Sequence, residues 1–262
     1  MIPMRYILEW KEFAPWIDNS QVEQDLIMHR TIIELFSNKF LKSKLAFRGG
    51  TALYKLFMDR PVRYSEDIDL VQIKSEPIGD ILTEIKKTIN YFEEKPKVKV
   101  KANNHNIIFR FVTETEPFTT KKLKIEINSR EHFSVLGYRE RELKLSNGWC
   151  NKSAIVNTFC LEELLATKLR ALYQRKKGRD LFDLYYVLRN REVDVEKIIF
   201  CFKKYMEHDG NNITKKDFIK NLDNKLNDAD FIGDIYALLV PNIQYNCSEA
   251  YFYIKKNLLN FL

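Results

Sequence analysis

The sequence lacks any long hydrophobic run. No stretch approaches the ~20 consecutive apolar residues that a membrane-spanning helix needs, and the charged N-terminal segment has no apolar core of the signal-peptide type. These absences argue against a helical membrane protein and against secretion. We therefore expect a cytoplasmic protein.

Cysteine and histidine are also scarce, and neither is grouped as in a metal or redox site. No Cys-x-x-Cys pair is present, and the four cysteines are widely spread: Cys150, Cys160, Cys201 and Cys247. The four histidines are isolated, with none at ligand spacing: His29, His105, His132 and His208. We expect free thiols in a reducing compartment, no zinc site and no histidine chemistry.

What is present is the composition of a soluble globular protein with a basic surplus. The 262 residues are 45% hydrophobic and 30% charged, enough for one large domain or two modest ones. The net charge of +7 suggests an anionic partner. Two basic clusters sharpen this suggestion, although both also fit solvated surface. They are Lys95, Lys97, Lys99 and Lys101, and Arg175, Lys176, Lys177 and Arg179.

The segment Phe47–Val71, FRGGTALYKLFMDRPVRYSEDIDLV, carries the strongest signal of chemistry. Its last residues form an apolar, β-branched run that contains Asp67 and Asp69. Strand side chains alternate between faces, so these two carboxylates share one face while Ile68 points to the other. Paired carboxylates repel unless a cation or proton lies between them. Oxygen ligands of this kind suit Mg²⁺ or Mn²⁺ together with substrate phosphates.

The turn Gly49-Gly50-Thr51 precedes that strand and predicts a phosphate site. Glycine allows close approach of the backbone, and the helical pattern that follows would offer free amides and a positive dipole end. An anion site followed by a metal strand outlines a nucleoside triphosphate site. The alternative is an ordinary strand-turn-helix with two surface aspartates.

A third acidic residue is expected at Glu126. The run Lys121–Asn128 alternates strictly, so Lys124, Glu126 and Asn128 share one strand face. Two-metal chemistry at a triphosphate would need a further acidic group to help hold a second ion and to accept or orient the attacking proton. The alternative is an exposed glutamate paired with Lys124.

A lysine in a later helix is the candidate phosphate contact. Lys168 falls within the apolar stripe that begins at Leu161, where an ammonium is costly unless it meets an anion. Snorkelling to solvent is the alternative. Asp180 and Asp183, three residues apart, would orient Lys168 or the nucleotide, or Asp180 would simply stabilise a helix N-terminus.

Two further patterns predict local structure. Ser20 and Glu23 are interpreted as a capping box, and helix capping also accounts for Asp25. Residues 129–158 are poorly patterned and are interpreted as a connector with short strands. From Leu161 onward helical periodicity recurs, with segments at 161–176, 180–190, 195–206, 215–222, 228–239 and 248–259.

Taken together, these motifs resemble a known family. The glycine turn followed by Asp-x-Asp is similar to the nucleotidyltransferase superfamily of DNA polymerase beta. The strings PWIDNSQVEQDL, FRGGTAL, RYSEDIDL and KLRALYQRKKGRDLFDL more closely resemble the AbiE-type (AbiEii/AbiGii) toxin nucleotidyltransferases, over at least residues 15 to 190. Ser65, within the third string, joins the expected nucleotide-binding residues.

The resemblance implies a fold, a reaction and partners. The expected fold is α+β: residues 1–158 form a mixed sheet flanked by helices, and residues 159–262 form a helical domain that closes the active-site cleft. The implied reaction is two-metal transfer of a nucleoside monophosphate. Asp67, Asp69 and Glu126 would bind Mg²⁺ or Mn²⁺, Gly49, Gly50 and Thr51 would hold phosphates, and Lys168 would neutralise the leaving group. An RNA acceptor such as tRNA and an antitoxin partner are also implied. The alternatives are a triphosphate-binding module without transfer activity and an RNA-binding regulator.

Overall fold

The computed structural model describes residues 2–101 and 104–262. These residues divide into two compact units. The first comprises the described part of residues 1–133 together with Gly137–Phe159, and the second comprises Ser134–Leu136 and Cys160–Leu262. The expectation that the second unit closes the active-site cleft stays a prediction.

The first unit is built on one mixed sheet. Within the described residues seven strands form this sheet in the order β3-β4-β5-β2-β1-β7-β6. The pairs β2–β5 and β1–β7 are parallel, and the other neighbours are antiparallel. Their bounds are β1 Leu45–Arg48, β2 Asp67–Gln72, β3 Lys97–Lys101, β4 Asn104–Val112, β5 Thr120–Asn128, β6 Arg139–Asn147 and β7 Cys150–Thr158.

Alternation along the central strands separates the core from the chemistry. Ile68 and Leu70 of β2, and Ile125 and Ile127 of β5, are at most 1% exposed. Asp69 and Glu126, which lie between them, and Asp67, which precedes Ile68, are only half-buried. The strand pattern of this region is therefore confirmed, and the polar face of β2 and β5 is available for a site.

Five helices of the described chain belong to the first unit: α1 Met4–Trp10, α2 Asn19–Ser37, α3 Lys39–Lys44, α4 Gly49–Phe57 and α5 Gly79–Thr88. The capping-box interpretation at the start of α2 is wrong. The cap is Asp18, whose carboxylate accepts from the Ser20 amide at 2.8 Å. Glu23 instead lies fully buried and accepts from the Glu114 amide at 3.0 Å.

The interpretation of residues 129–158 is also wrong in part. Most of this region is the antiparallel hairpin β6–β7, and each strand has nine residues. Only the second half of β6 shows alternation, with Leu143 and Leu145 buried, because residues 139–142 are all exposed. A solvent-facing strand that carries charge on both faces gives no periodic signal.

The second unit is helical, as predicted. Its elements are α6 Leu161–Gln174, α7 Gly178–Asn190, α8 Val195–His208, α9 Lys215–Leu226, α10 Ala229–Gly233 and α11 Cys247–Asn257, with short 3-10 turns at Tyr236–Leu238 and Leu259–Phe261. The α+β fold, a mixed sheet with helices followed by a helical C-terminal half, is confirmed. All four cysteines are free. None of the helices in the described ranges is long and apolar enough to cross a bilayer.

The segment Ser134–Leu136 is anchored in the helical unit by a buried carboxylate. Glu163 of α6 is 0% exposed and accepts from the Ser134 hydroxyl at 2.8 Å, the Val135 amide at 2.7 Å and the Leu136 amide at 3.0 Å. Tyr205 donates to the same carboxylate at 2.7 Å. These four donors compensate the cost of burying the charge.

Candidate active site

Two neighbouring strands carry the expected carboxylates. The parallel register of β2 and β5 sets Asp67 beside Lys124 and Asp69 beside Glu126. Residues paired in register point to the same side of a sheet. Asp67, Asp69 and Glu126 therefore share one face, where we refer to them and Lys124 as the carboxylate face.

Lys124 supplies a positive charge within this face. Its Nζ lies 2.9 Å from Asp67 Oδ2 and 3.2 Å from Glu126 Oε2. Partial burial lowers the pKa of Lys124, but hydrogen bonds and charge from Asp67 and Glu126 outweigh that effect and raise it above its ordinary value. Asn104 donates to the other oxygen of Glu126 at 3.0 Å. Strict alternation along β5 predicted that Lys124 shares a strand face with Glu126. Its contact with Asp67 was not predicted, because it depends on the register between β2 and β5.

The donor set fits a hard divalent cation in chemistry and charge. Asp67 and Glu126 already point their oxygens at one cation, the ammonium of Lys124. Carboxylate oxygens are the protein ligands that Mg²⁺ and Mn²⁺ prefer. Among the described residues, however, no three His, Cys, Asp or Glu side chains converge on a single point. Asp67 and Glu126 thus share one cationic position, and the ammonium of Lys124 occupies it.

The glycine turn lies against the carboxylate face. Gly49 has φ +82°, in the left-handed region that glycine tolerates best, and it begins helix α4. A Cβ at this position would lie 2.1 Å from Asp69 Oδ2. Both the backbone conformation and the close approach of Asp69 require glycine. The first amides of α4, which a helix leaves without intrahelical partners, therefore begin directly beside the Asp69 carboxylate.

Thr51 and Ser65 have a different local role from the one expected. The Thr51 hydroxyl donates to the backbone carbonyl of Asp67 at 2.6 Å. Ser65 Oγ lies 2.8 Å from the same hydroxyl and donates to it, since Thr51 has only one proton. Thr51 is 2% exposed. Its side chain thus positions the start of β2, and phosphate binding by Thr51 stays a prediction for its backbone amide.

In the second unit, Lys168 lies in a buried ion cluster. Its Nζ is 3.2 Å from Asp180 Oδ1 and 2.9 Å from Asp183 Oδ2, and both aspartates are 0% exposed. Arg175 donates twice to Asp180, at 2.7 and 2.9 Å. Burial raises the pKa of Asp180, but Lys168 and Arg175 outweigh it and hold the pKa below its ordinary value. Lys168 is only 7% exposed, so it does not snorkel to solvent.

The predicted residues therefore form two groups. Asp67, Asp69 and Glu126 lie in the first unit with the glycine turn, and Lys168, Asp180 and Asp183 lie in the second. Each group is a set of direct neighbours. That both belong to one active site stays a prediction.

A third polar group was missed. Asp25 of α2, which capping does not explain, accepts from Lys55 at 2.9 Å through both oxygens and from the Trp10 indole at 3.1 Å. His29, one turn further along α2, lies 3.4 Å from Lys55 and 3.0 Å from the Lys144 carbonyl. Burial and the charge of Lys55 hold the His29 pKa well below its ordinary value, so its imidazole is neutral. Helical spacing of Asp25 and His29 was the only available signal.

The two basic clusters differ in their surroundings. Lys95, Lys97 and Lys99 lie exposed on or beside β3, at the edge of the sheet, and the side chain of Lys101 lies outside the described residues. The second cluster is locally neutralised, because each member pairs with a carboxylate: Arg175 with Asp180, Lys176 with Asp228, and both Lys177 and Arg179 with Asp234. Its attraction for an anionic partner is smaller than the sequence indicates.

The mixed sheet flanked by helices is a nucleotidyltransferase-type fold. The model of the family described as nucleotidyl transferase AbiEii toxin, Type IV TA system, matches residues 31–240. The chain belongs to this family, and it is a nucleotidyltransferase toxin of a toxin–antitoxin system. No curated protein sequence matches it significantly.

Solved structures show the same fold at low sequence identity. JHP933 from Helicobacter pylori is 19% identical, with a TM-score of 0.59 over 92% of this chain and 90% of its own. MenT4, a nucleotidyltransferase toxin from Mycobacterium tuberculosis H37Rv, is 14% identical, with a TM-score of 0.59 over 98% and 88%. A putative nucleotidyltransferase from H. pylori is 20% identical, with a TM-score of 0.53 over 91% and 93%.

Proposed function

We propose that this protein transfers a nucleoside monophosphate from a nucleoside triphosphate to a hydroxyl of an RNA acceptor, such as the 3′ end of a tRNA, in a metal-dependent reaction. One observation carries the proposal: the left-handed Gly49 turn at the start of α4 lies against Asp69 of the carboxylate face. That placement supports the proposal because the free amides of a helix N-terminus suit a phosphate, and a carboxylate beside them suits a divalent cation that the phosphate would share.

The residues of the first unit have complementary tasks in this reaction. Asp67, Asp69 and Glu126 would hold Mg²⁺ or Mn²⁺, which would supply charge neutralisation at the phosphates. The amides of the first turn of α4 would bind the outer phosphates. Glu126 would orient the acceptor hydroxyl and accept its proton. A new bond joins the acceptor oxygen to the α-phosphorus, the bond from that phosphorus to the β-phosphate oxygen breaks, and pyrophosphate leaves.

The second unit would contribute Lys168. Its ammonium has three N–H donors, and Asp180 and Asp183 accept two of them. The remaining donor would neutralise charge on the leaving pyrophosphate, while the two aspartates fix the side chain. In this proposal Asp180 and Asp183 support nucleotide binding by positioning Lys168.

Surface charge supports RNA as the acceptor, and family membership supports an antitoxin as the partner. The exposed lysines of β3 and the net charge of +7 favour a polyanion over a neutral acceptor. The family is one of toxin–antitoxin systems, which supports a neutralising protein partner. We place the reaction in the cytoplasm, where nucleotides and tRNA are abundant.

A second candidate function is nucleotide binding without transfer. It is favoured by Lys124, whose ammonium occupies the cationic position between Asp67 and Glu126. If a metal ion does not displace this ammonium, the Gly49 turn would still bind a triphosphate, but no metal ion would be held for the reaction.

One experiment tests both candidates. The protein is incubated with each α-³²P-labelled nucleoside triphosphate, Mg²⁺ and total RNA, with Asp67→Asn as the matched control. We expect label on RNA with the native protein and none with the variant. Label on protein instead would refute the RNA acceptor. Nucleotide binding without any labelled product would support the second candidate.

A further inference from the structure

The first unit contains a cavity that the proposed reaction has not used. Its volume is about 260 Å³, near the lower end of the roughly 300–1,000 Å³ typical of ligand pockets. Residues of α1, α2, α4 and β6 line it, together with the segments that follow α1 and α4.

One wall of the cavity is aromatic. Trp10 and Phe13 stack with ring centroids 5.1 Å apart and an interplanar angle of 29°. Trp16 also lines the cavity and is 4% exposed, yet its indole N–H has no hydrogen-bond partner among the described residues. The indole nitrogen has almost no accessible surface, so Trp16 contributes its ring, and not its N–H, to the wall of the cavity.

Polar side chains lie directly beside this wall, since the Trp10 indole donates to Asp25 at 3.1 Å and its ring packs edge-on against His29. Lys55, Asp25 and His29 line the cavity, and their mutual hydrogen bonds fix each side chain. The neutral imidazole accepts at Nδ1 from Lys55 and donates at Nε2 to the Lys144 carbonyl, so its tautomer is fixed. Aromatic rings beside oriented polar groups favour a flat heterocycle over an aliphatic chain.

The cavity adjoins the expected phosphate site. Helix α4 lines it with Thr51, Tyr54 and Lys55, which occupy one helical face beginning in the turn where phosphate is expected, and Met58 lines it just after the helix ends. Thr51 and Ser65 form its border, and the Thr51 hydroxyl is 2.6 Å from the Asp67 carbonyl. A nucleotide held by phosphate at the start of α4 has this cavity as a neighbour.

We propose that this cavity binds a nucleobase of one of the two nucleotide substrates, either the donor triphosphate or the terminal nucleotide of the acceptor. The proposal rests on the proposed function and adds a base-binding site to it. The base stacks on the wall formed by Trp10, Phe13 and Trp16. Base selectivity then resides in the first unit.

The test compares three probes on the full-length protein: nucleoside triphosphates, inorganic tripolyphosphate and a short RNA oligonucleotide, each titrated calorimetrically with Mg²⁺. Phe13→Ala removes an exposed part of the stacking wall, and Trp16→Phe reduces the area of the wall while keeping an aromatic ring. Phe118→Ala is the matched control, because Phe118 is a 64% exposed aromatic of the same unit outside the cavity.

If the base belongs to the donor, Phe13→Ala weakens binding of the preferred triphosphate by about 5- to 100-fold. Tripolyphosphate affinity stays unchanged, and Trp16→Phe weakens triphosphate binding by less than Phe13→Ala does, because an aromatic ring remains. If the base belongs to the acceptor, the same loss appears only with RNA. Unchanged affinity for triphosphates and for RNA in both variants overturns the base site. Failure of the native protein to bind either triphosphate or tripolyphosphate would instead overturn the proposed function.

Discussion

Replacing Lys168 with methionine should destabilise the protein strongly, for a reason unrelated to the reaction. Methionine preserves most of the apolar stem but leaves Asp180 and Asp183, both 0% exposed, without the ammonium that lies 3.2 and 2.9 Å from them. Removal of one partner from a buried ion pair costs about 3–5 kcal/mol. Arg175 still pairs with Asp180, which places the expected loss near the lower limit, about 3 kcal/mol.

The assay is urea unfolding followed by circular dichroism, in the native protein, in Lys168→Met and in the double variant Lys168→Met/Asp183→Asn. The double variant removes the unpaired charge and should recover most of the lost free energy of unfolding. Lys176→Met is the control, because Lys176 pairs with Asp228 at an exposed position and its loss should cost far less than that of Lys168.

The sign of the pH dependence gives a second readout. The native pKa of Asp180 is lowered, so its stabilising contribution is present above its unfolded pKa and is lost as pH falls through the folded value. Loss of Lys168 removes one source of that lowering, and the difference between native and variant should shrink toward acid pH. Equal losses for Lys168→Met and Lys176→Met, or no recovery in the double variant, would refute the buried ion cluster.

Three other substitutions address the first unit. Asp67→Asn should abolish nucleotidyl transfer while circular dichroism shows an intact fold, because a half-exposed carboxylate contributes little to stability. Lys124→Met should raise the affinity for Mn²⁺, measured by calorimetry without nucleotide, since its ammonium competes for Asp67 and Glu126; Lys124→Arg keeps the charge and should not. Burial raises the pKa of Glu23 to about 7, so its contribution to stability is lost as pH rises from about 4.5 to 7. Glu23→Gln should remove that loss, a gain of roughly 2–3 kcal/mol at pH 8 in urea unfolding.

Each of these outcomes has a clear opposite. Transfer that survives in Asp67→Asn contradicts the metal role of β2. Weaker Mn²⁺ binding by Lys124→Met would show that the ammonium supports the ion rather than competing with it. A native protein whose stability does not change between pH 5 and pH 7 contradicts a carboxyl buried at Glu23.

The central strands and the helical half were predictable because their signals are local. Ile125 and Ile127 alternate with charged neighbours, and α6 to α9 carry regular apolar stripes. The position of Lys124 was not predictable in the same way. It depends on the register between β2 and β5, which are distant in sequence, so no local pattern reports that Lys124 lies beside Asp67.

The hairpin β6–β7 and the Asp25–Lys55 pair were missed for related reasons. A strand gains its stability from cross-strand partners, and β6 carries too many exposed charges for its own sequence to reveal one. Asp25 has a plausible local explanation as a helix-start residue, and only the fold brings Lys55 to within 2.9 Å. Where a local and a distant partner compete to explain one residue, sequence alone favours the local one.

The hydrogen bonds from Ser134–Leu136 to Glu163 constrain where this chain can be cut into separate fragments. Because those three residues belong to the helical unit, the chain passes from one unit to the other at three places: after Phe133, after Leu136 and after Phe159. A fragment that begins at Cys160 would retain Tyr205 as a donor to Glu163 but lose the Ser134 hydroxyl and the amides of Val135 and Leu136. Gene fusion or shuffling at a single junction would therefore leave a buried carboxylate short of partners. A fragment of the helical unit that keeps all four donors to Glu163 must include Ser134–Leu136 as well as residues 160–262.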